Sequence, residues 1–252
     1  MGFIPYIWNL KLLYIMEIEV INRRATLFVG GAPISINEQT LPQFVEIFSK
    51  LGLLPSVNKG LGLKITPQGV IQENVISLDM KYLDDTFKVS IGPNRFDIVC
   101  TKKAESISDF LRKVDSVTIA ISKSYPVPFT RLALCSTVVF NMEAPLLDNV
   151  YEKVTNNHDE QPIEWQIRKV LRSKIESDAK PLVINNVYTL SRNITQIGAE
   201  SPIDRIMLDM DINTIVENNI DVIKQQQSEF WNVASSTIES AIDYYENLFL
   251  HD

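Results

Sequence analysis

Ile206-Met207-Leu208-Asp209-Met210-Asp211 has the same build as Ile76-Ser77-Leu78-Asp79-Met80-Lys81. Both alternate with the period of two that marks a half-buried strand. Each is followed within a few dozen residues by a long helical pattern. The echo predicts an α+β fold with antiparallel sheets in two related halves, residues 16–125 and 130–252, each covered on one face by helices. Pro126 and Pro128 mark the boundary between them.

Around the first segment the pattern predicts a dense strand region. Leu61 to Ile65, Val75 to Met80, Phe87 to Ile91 and Phe96 to Thr101 read as short strands, with a tight turn at Gly92-Pro93-Asn94. A strand or two over Ile18 to Val29 precedes them. A helix follows in which Thr40 reads as N-cap, with Pro42 in its first turn, Gln43 at the capping-box position and Gly52 as its stop. Ser106 opens a second helix, whose apolar positions from Ile107 to Ile121 keep a helical period.

The second half starts with a strand from Arg131 to Met142. A helical hairpin is expected next, Leu146 to Val154 and Pro162 to Ile175, and then strands over Leu182 to Ser191 and Ile203 to Ile212. A long amphipathic C-terminal helix closes the chain from about Ile220 to Phe249. Trp231, Ala234, Ile238, Ala241, Tyr245 and Leu248 alternate spacings of three and four, which gives one continuous apolar stripe. Trp231, Ile238 and Tyr245 are the candidate interaction residues, on a stripe expected to lie across a sheet or against a partner.

Composition bounds the function. The chain has 252 residues, 45% hydrophobic and 22% charged, with 24 Lys+Arg against 31 Asp+Glu and a net charge of −7. Its bulk field opposes phosphate, so nucleic acid is not an expected partner. The densest basic patch, Arg168-Lys169 with Arg172 and Lys174, reads as a solvated helix face between Glu164 and Glu176. Cys100 and Cys135 sit in apolar runs and are expected as buried free thiols, in keeping with a reducing cytoplasm. Residues 1–15 form an apolar extension. Phe3 to Met16 is too short for a membrane span and is interrupted by Pro5 and Lys11. Either Met16 is the natural start, or the segment docks on a partner or on its own sheet.

Motifs for chemistry are sparse. His158 and His251 stand alone, which leaves a zinc site or a serine–histidine triad without its parts. Gly60-Leu61-Gly62 and Gly30-Gly31 lack the remaining positions of dinucleotide or phosphate loops. Asp209, Asp211 and Asn213 share one face of a strand and are the candidate metal ligands, for Mg²⁺ or Ca²⁺. Thr214 and Ile220 stand where an EF-hand loop needs Gly and Glu, and the set reads more simply as the polar face of a half-exposed strand. No cofactor is expected.

The turn Gly92-Pro93-Asn94-Arg95, the strand Leu208-Asp209-Met210-Asp211 and a closing helix with Phe230 and Trp231 resemble a sporadically distributed, uncharacterised family of bacterial proteins of about this length. The likeness covers the last fifth of the chain best. It implies a bacterial cytosolic setting and no activity. The expectation is a non-enzymatic interaction or assembly subunit, with a protein partner or self-association. The alternatives are a metal-dependent phosphodiester or nucleotide enzyme using Asp209 and Asp211, and a module for a small apolar ligand.

Overall fold

The structure is a computed structural model. It describes residues 16–66, 69–158, 162–176, 180–215 and 224–250, with backbone alone at 59, 61–66, 71–76, 224 and 225. The apolar extension 1–15, Ile220 and His251 lie outside the described residues.

The elements run β1 (Met16–Val29), α1 (Thr40–Ser49), β2 (Leu54–Thr66), β3 (Gly69–Lys81), β4 (Phe87–Gly92), β5 (Arg95–Cys100) and α2 (Ile107–Ser124). They continue as β6 (Phe129–Met142), α3 (Ala144–Thr155), β7 (Trp165–Ile175), β8 (Leu182–Thr195), β9 (Ile203–Thr214) and α4 (Lys224–Leu250). The strands form one antiparallel sheet, not two, in the order β2-β3-β4-β5-β1-β6-β9-β8-β7. Its centre is the long β1–β6 pair, which runs from Met16 opposite Met142 to Val29 opposite Phe129 with register shifts between Val20 and Asn22 and between Phe28 and Val29.

Alternation sorts each central strand into two faces. Ala25 and Leu27 on β1, Leu132 and Leu134 on β6, and Met210 and Ile212 on β9 belong to the core. On the other face Arg24 is exposed and Cys135 and Asp211 are half-buried, while Thr26 and Ala133 are buried there. α1 packs on α2, α3 packs on α4, and α4 lies across β6, β9 and β7. The result is two layers, a sheet and a helical cover, with one sheet face left polar.

Several local expectations shift for physical reasons. Thr40 is inside α1, and Asn37 does the capping. Its Oδ1 accepts from the backbone N–H of Gln39 at 2.9 Å and of Thr40 at 3.0 Å. The Thr40 hydroxyl instead donates to the Ser35 carbonyl at 2.5 Å. Ser106 is the N-cap of α2 as read, accepting from the Asp109 N–H at 3.1 Å. Gly52 follows α1 at φ 77°, a conformation that suits only glycine well.

The second helix of the expected hairpin is a strand. Trp165 to Ile175 pairs with Leu182 to Arg192 along its whole length. Trp165, Ile167, Leu171 and Ile175 fall at odd positions, a period of two. The basic patch therefore lies on an edge strand, not on a helix face. In the first half β2 and β3 are longer than expected: Pro55 lies inside β2, on the edge strand of the sheet where proline is tolerated.

Candidate functional site

The three candidate metal ligands lie on the helix-free face of β9, each in a different cross-strand contact. Asp209 is exposed and accepts from the Thr137 hydroxyl at 2.6 Å. Asp211 stands opposite Cys135, which stands opposite Arg24. Arg24 Nη2 donates to Cys135 Sγ at 3.5 Å. Burial first, and then the charge of Asp211, push the Cys135 thiol from its ordinary 9.0 up to about 11, against the pull of Arg24. Asn213 is only 4% exposed, and its Oδ1 accepts from Arg131 Nη2 at 3.0 Å. Among the described residues no group of three or more His, Cys, Asp or Glu could hold a metal ion.

A buried titratable cluster that no sequence motif marks lies in the loop from β5 to α2. Lys102, Ala104 and Glu105 line a cavity of about 540 Å³ with Tyr82, Phe87 and Lys113. On its other side, Lys103 and Ala104 line a second cavity, of about 680 Å³, with Glu19 and Arg205. Glu105 is buried. It accepts from Lys113 Nζ at 2.8 Å and from Cys100 Sγ at 3.5 Å, while the Arg23 guanidinium donates to its backbone carbonyl. The Lys113 ammonium sits over the rings of Tyr82 and Phe87, 5.5 and 5.1 Å from their centroids. Burial works against the charge of Lys113, but Glu105 outweighs it and the pKa is raised. Burial also raises the Cys100 thiol, with the Glu105 charge adding to it. Raised pKa values keep the thiol protonated and the amine charged at neutral pH, so neither is an activated nucleophile. The cluster ties α2 to β1 and β5. No residue pattern announces it, because Arg23, Glu105 and Lys113 meet only through the topology.

The stripe on α4 divides. Trp231, Ala234 and Ile238 are buried in the chain's own core, together with Phe230 and Phe249, and Phe249 meets Phe140 edge-on at 5.1 Å. Gln226 is also buried and donates to the Lys180 carbonyl at 2.8 Å. Tyr245 lies further along, half-buried at a groove between α4 and the β7–β8 hairpin. The groove, about 400 Å³, is of mixed character: Leu171, Tyr188, Ala241, Tyr244 and Tyr245 line it together with Lys169, Ser236, Thr237 and Ser240. Burial raises the phenol pKa of both Tyr188 and Tyr245.

The feature that most needs explanation is at the opposite edge. β2 and β3 pair from Leu54–Lys81 to Thr66–Gly69, but β4 joins β3 only at Leu78 to Lys81. The remaining nine rungs, Asn58–Ser77 to Thr66–Gly69, form a two-stranded ribbon that no third strand joins among the described residues. At about 3.4 Å per residue it extends roughly 30 Å. The sequence pattern gave strands here but not their length.

No family model and no curated protein matches the chain.

Proposed function

We propose that this protein is a non-enzymatic assembly subunit that self-associates, with the β2–β3 ribbon as its docking arm. The observation that carries this reading is the ribbon itself. A two-stranded hairpin is at best marginal in water without a third strand or a packing partner. Val70 near its tip is 64% exposed, and Val57 at its base 44%. One ribbon face, about 30 Å long and two strand spacings wide, offers about 300 Å². Seated on a foreign partner it would bury about 600 Å² in total, below a stable interface. Two ribbons exchanged between identical chains would bury about 1,200 Å², the lower bound of one. Reciprocal exchange in a two-fold dimer is therefore the arrangement that area favours.

The two halves are, on this reading, related. Each runs strand, helix, an antiparallel meander whose last strand returns to the first, and helix: β1, α1, β2 to β5, α2 against β6, α3, β7 to β9, α4. The first meander has one strand more, and that surplus is part of the ribbon. A bacterial cytosol is the setting proposed for the assembly. The metal-enzyme alternative gains no support from Asp209 and Asp211, whose neighbours are Thr137, Cys135 and Arg24.

Light scattering tests the reading. The intact chain, of 28.7 kDa, should give twice that mass. A variant in which an Asn-Gly turn replaces 58–77 and joins Val57 to Leu78, which are already paired, should fold and give the mass of one chain. An intact chain that stays monomeric, or a trimmed variant that keeps the doubled mass, would refute it.

A further inference from the structure

We infer that the cavity between the starts of β1 and β9 binds an α-amino acid with an apolar side chain, whose carboxylate completes the hydrogen bonding of Arg205. The inference is independent of the assembly reading. The cavity measures about 680 Å³, within the ordinary range for small-molecule sites.

Arg205, which lines this cavity, carries the argument. It is 3% exposed, and an arginine buried that far is rare unless it is fully paired. Only its Nη2 is engaged, donating to Glu200 Oε2 at 2.8 Å. Nε and Nη1 are buried and meet no acceptor among the described residues. Unmet charged donors are costly to bury, and each one in a folded protein calls for an explanation. A guanidinium is a planar fork that fits a carboxylate with two parallel bonds. Glu200 fills that fork poorly. It bonds to one nitrogen only, from a half-exposed side chain on the turn before β9. The fold places Arg205 one position beyond the last β6–β9 rung, Phe140–Ile206, where the ladder gives way to the cavity.

The other charges define the second arm of the ligand. Lys103 pairs with Glu19 and lies 3.9 Å from Glu200, and Asp204 pairs with Arg192 at 2.8 Å. Glu17, exposed at the same cavity, has no cation paired to it among the described residues. A ligand with a carboxylate for Arg205 and an ammonium for Glu17 meets both needs. A bare anion meets only the first, and the field opposes it, because Glu17, Glu19, Glu200 and Asp204 outnumber Lys103 and Arg205 around the cavity. Ile18, Met142 and Ile203 supply an apolar wall for the rest of the ligand. An α-amino acid with an apolar side chain is the smallest class that carries all three features.

The test is isothermal titration calorimetry of the intact chain with leucine, methionine and phenylalanine. At least one should bind at a single site per chain. Its analogues without the amine or without the carboxylate should bind about tenfold or more weakly, each having lost one charged hydrogen-bonded contact. Arg205→Met keeps the side-chain volume and removes the unmet donors, so it should fold with no loss of melting temperature and lose the amino acid. Glu17→Gln, at an exposed position, should weaken the amino acid about tenfold and leave its amine-free analogue unchanged; it reads the same site should Arg205→Met fail to fold. If none of the three amino acids binds at millimolar concentration, the inference fails. It fails equally if inorganic phosphate or the amine-free analogue binds as tightly as the amino acid, which would mark a site for a bare anion. Amino acid binding that survives both Arg205→Met and Glu17→Gln would place the ligand elsewhere and overturn it.

Discussion

Replacing Ile238 by alanine should destabilise the protein more than almost any other single truncation on α4. The side chain is 1% exposed, between Ala234 at 0% and the half-buried Ala241 and Ile242 on the same helix, and belongs to the main core. Three carbons are removed. At about 0.8 kcal/mol for each buried methylene, transfer alone gives about 2.4 kcal/mol. A residual cavity adds to this, because the sheet beneath α4 cannot collapse far, and the total should lie at about 3–5 kcal/mol. For a chain of this size that is a fall of roughly 6–15 °C in melting temperature. The assay is urea unfolding followed by tryptophan fluorescence, with the midpoint shifted and the slope unchanged. Asn232→Ala, at an exposed position of the same helix, is the control and should stay within about 0.5 kcal/mol. Because the stripe packs on the chain's own sheet, Ile238→Asp should unfold the protein rather than release a folded, smaller species. A loss under 1 kcal/mol for Ile238→Ala, or a folded Ile238→Asp monomer, would show that α4 is not packed as described.

Cys135 should make stability depend on alkaline pH. Its folded pKa, about 11, lies above the ordinary 9.0, so the folded state holds the thiol proton more tightly than the unfolded chain does. The stabilisation is complete below pH 9 and is lost as pH rises through 11; the difference between intact protein and Cys135→Ala should fall by roughly 2–3 kcal/mol across that window. An unchanged difference would refute the burial argument. Asp209→Asn combined with Asp211→Asn should leave the protein folded and change stability by about 1 kcal/mol or less, since Asp209 is exposed and Asp211 only half-buried. Adding Mg²⁺ or Ca²⁺ should not raise the melting temperature of the intact chain. Metal stabilisation that disappears in the double variant would reverse that reading.

Much of the architecture was legible because burial imposes periodicity. The Leu208-Asp209-Met210 alternation, the apolar run of β6 and the Ser106 cap all carry local signals strong enough to survive tertiary packing. β7 shows where this fails. Lys169 occupies an inward position on an edge strand, where its chain can lie along the groove and reach solvent, and it masks the alternation of Ile167 and Leu171. The Glu105 cluster was invisible for another reason. Arg23 and Glu105 are 82 positions apart in sequence and meet only because β5 lies beside β1. The ribbon was legible as two strands but not as an arm. Pairing length depends on which neighbours a strand lacks, and no local pattern records that.

The most direct measurement is amide hydrogen exchange of residues 58–77 at high and low protein concentration, with β1 and β6 as internal references. An isolated two-stranded ribbon opens easily, whereas one seated on another chain does not. The account predicts slow exchange in the ribbon at high concentration, fast exchange on dilution, and constant protection in β1 and β6. Ribbon exchange that is the same at both concentrations would contradict it.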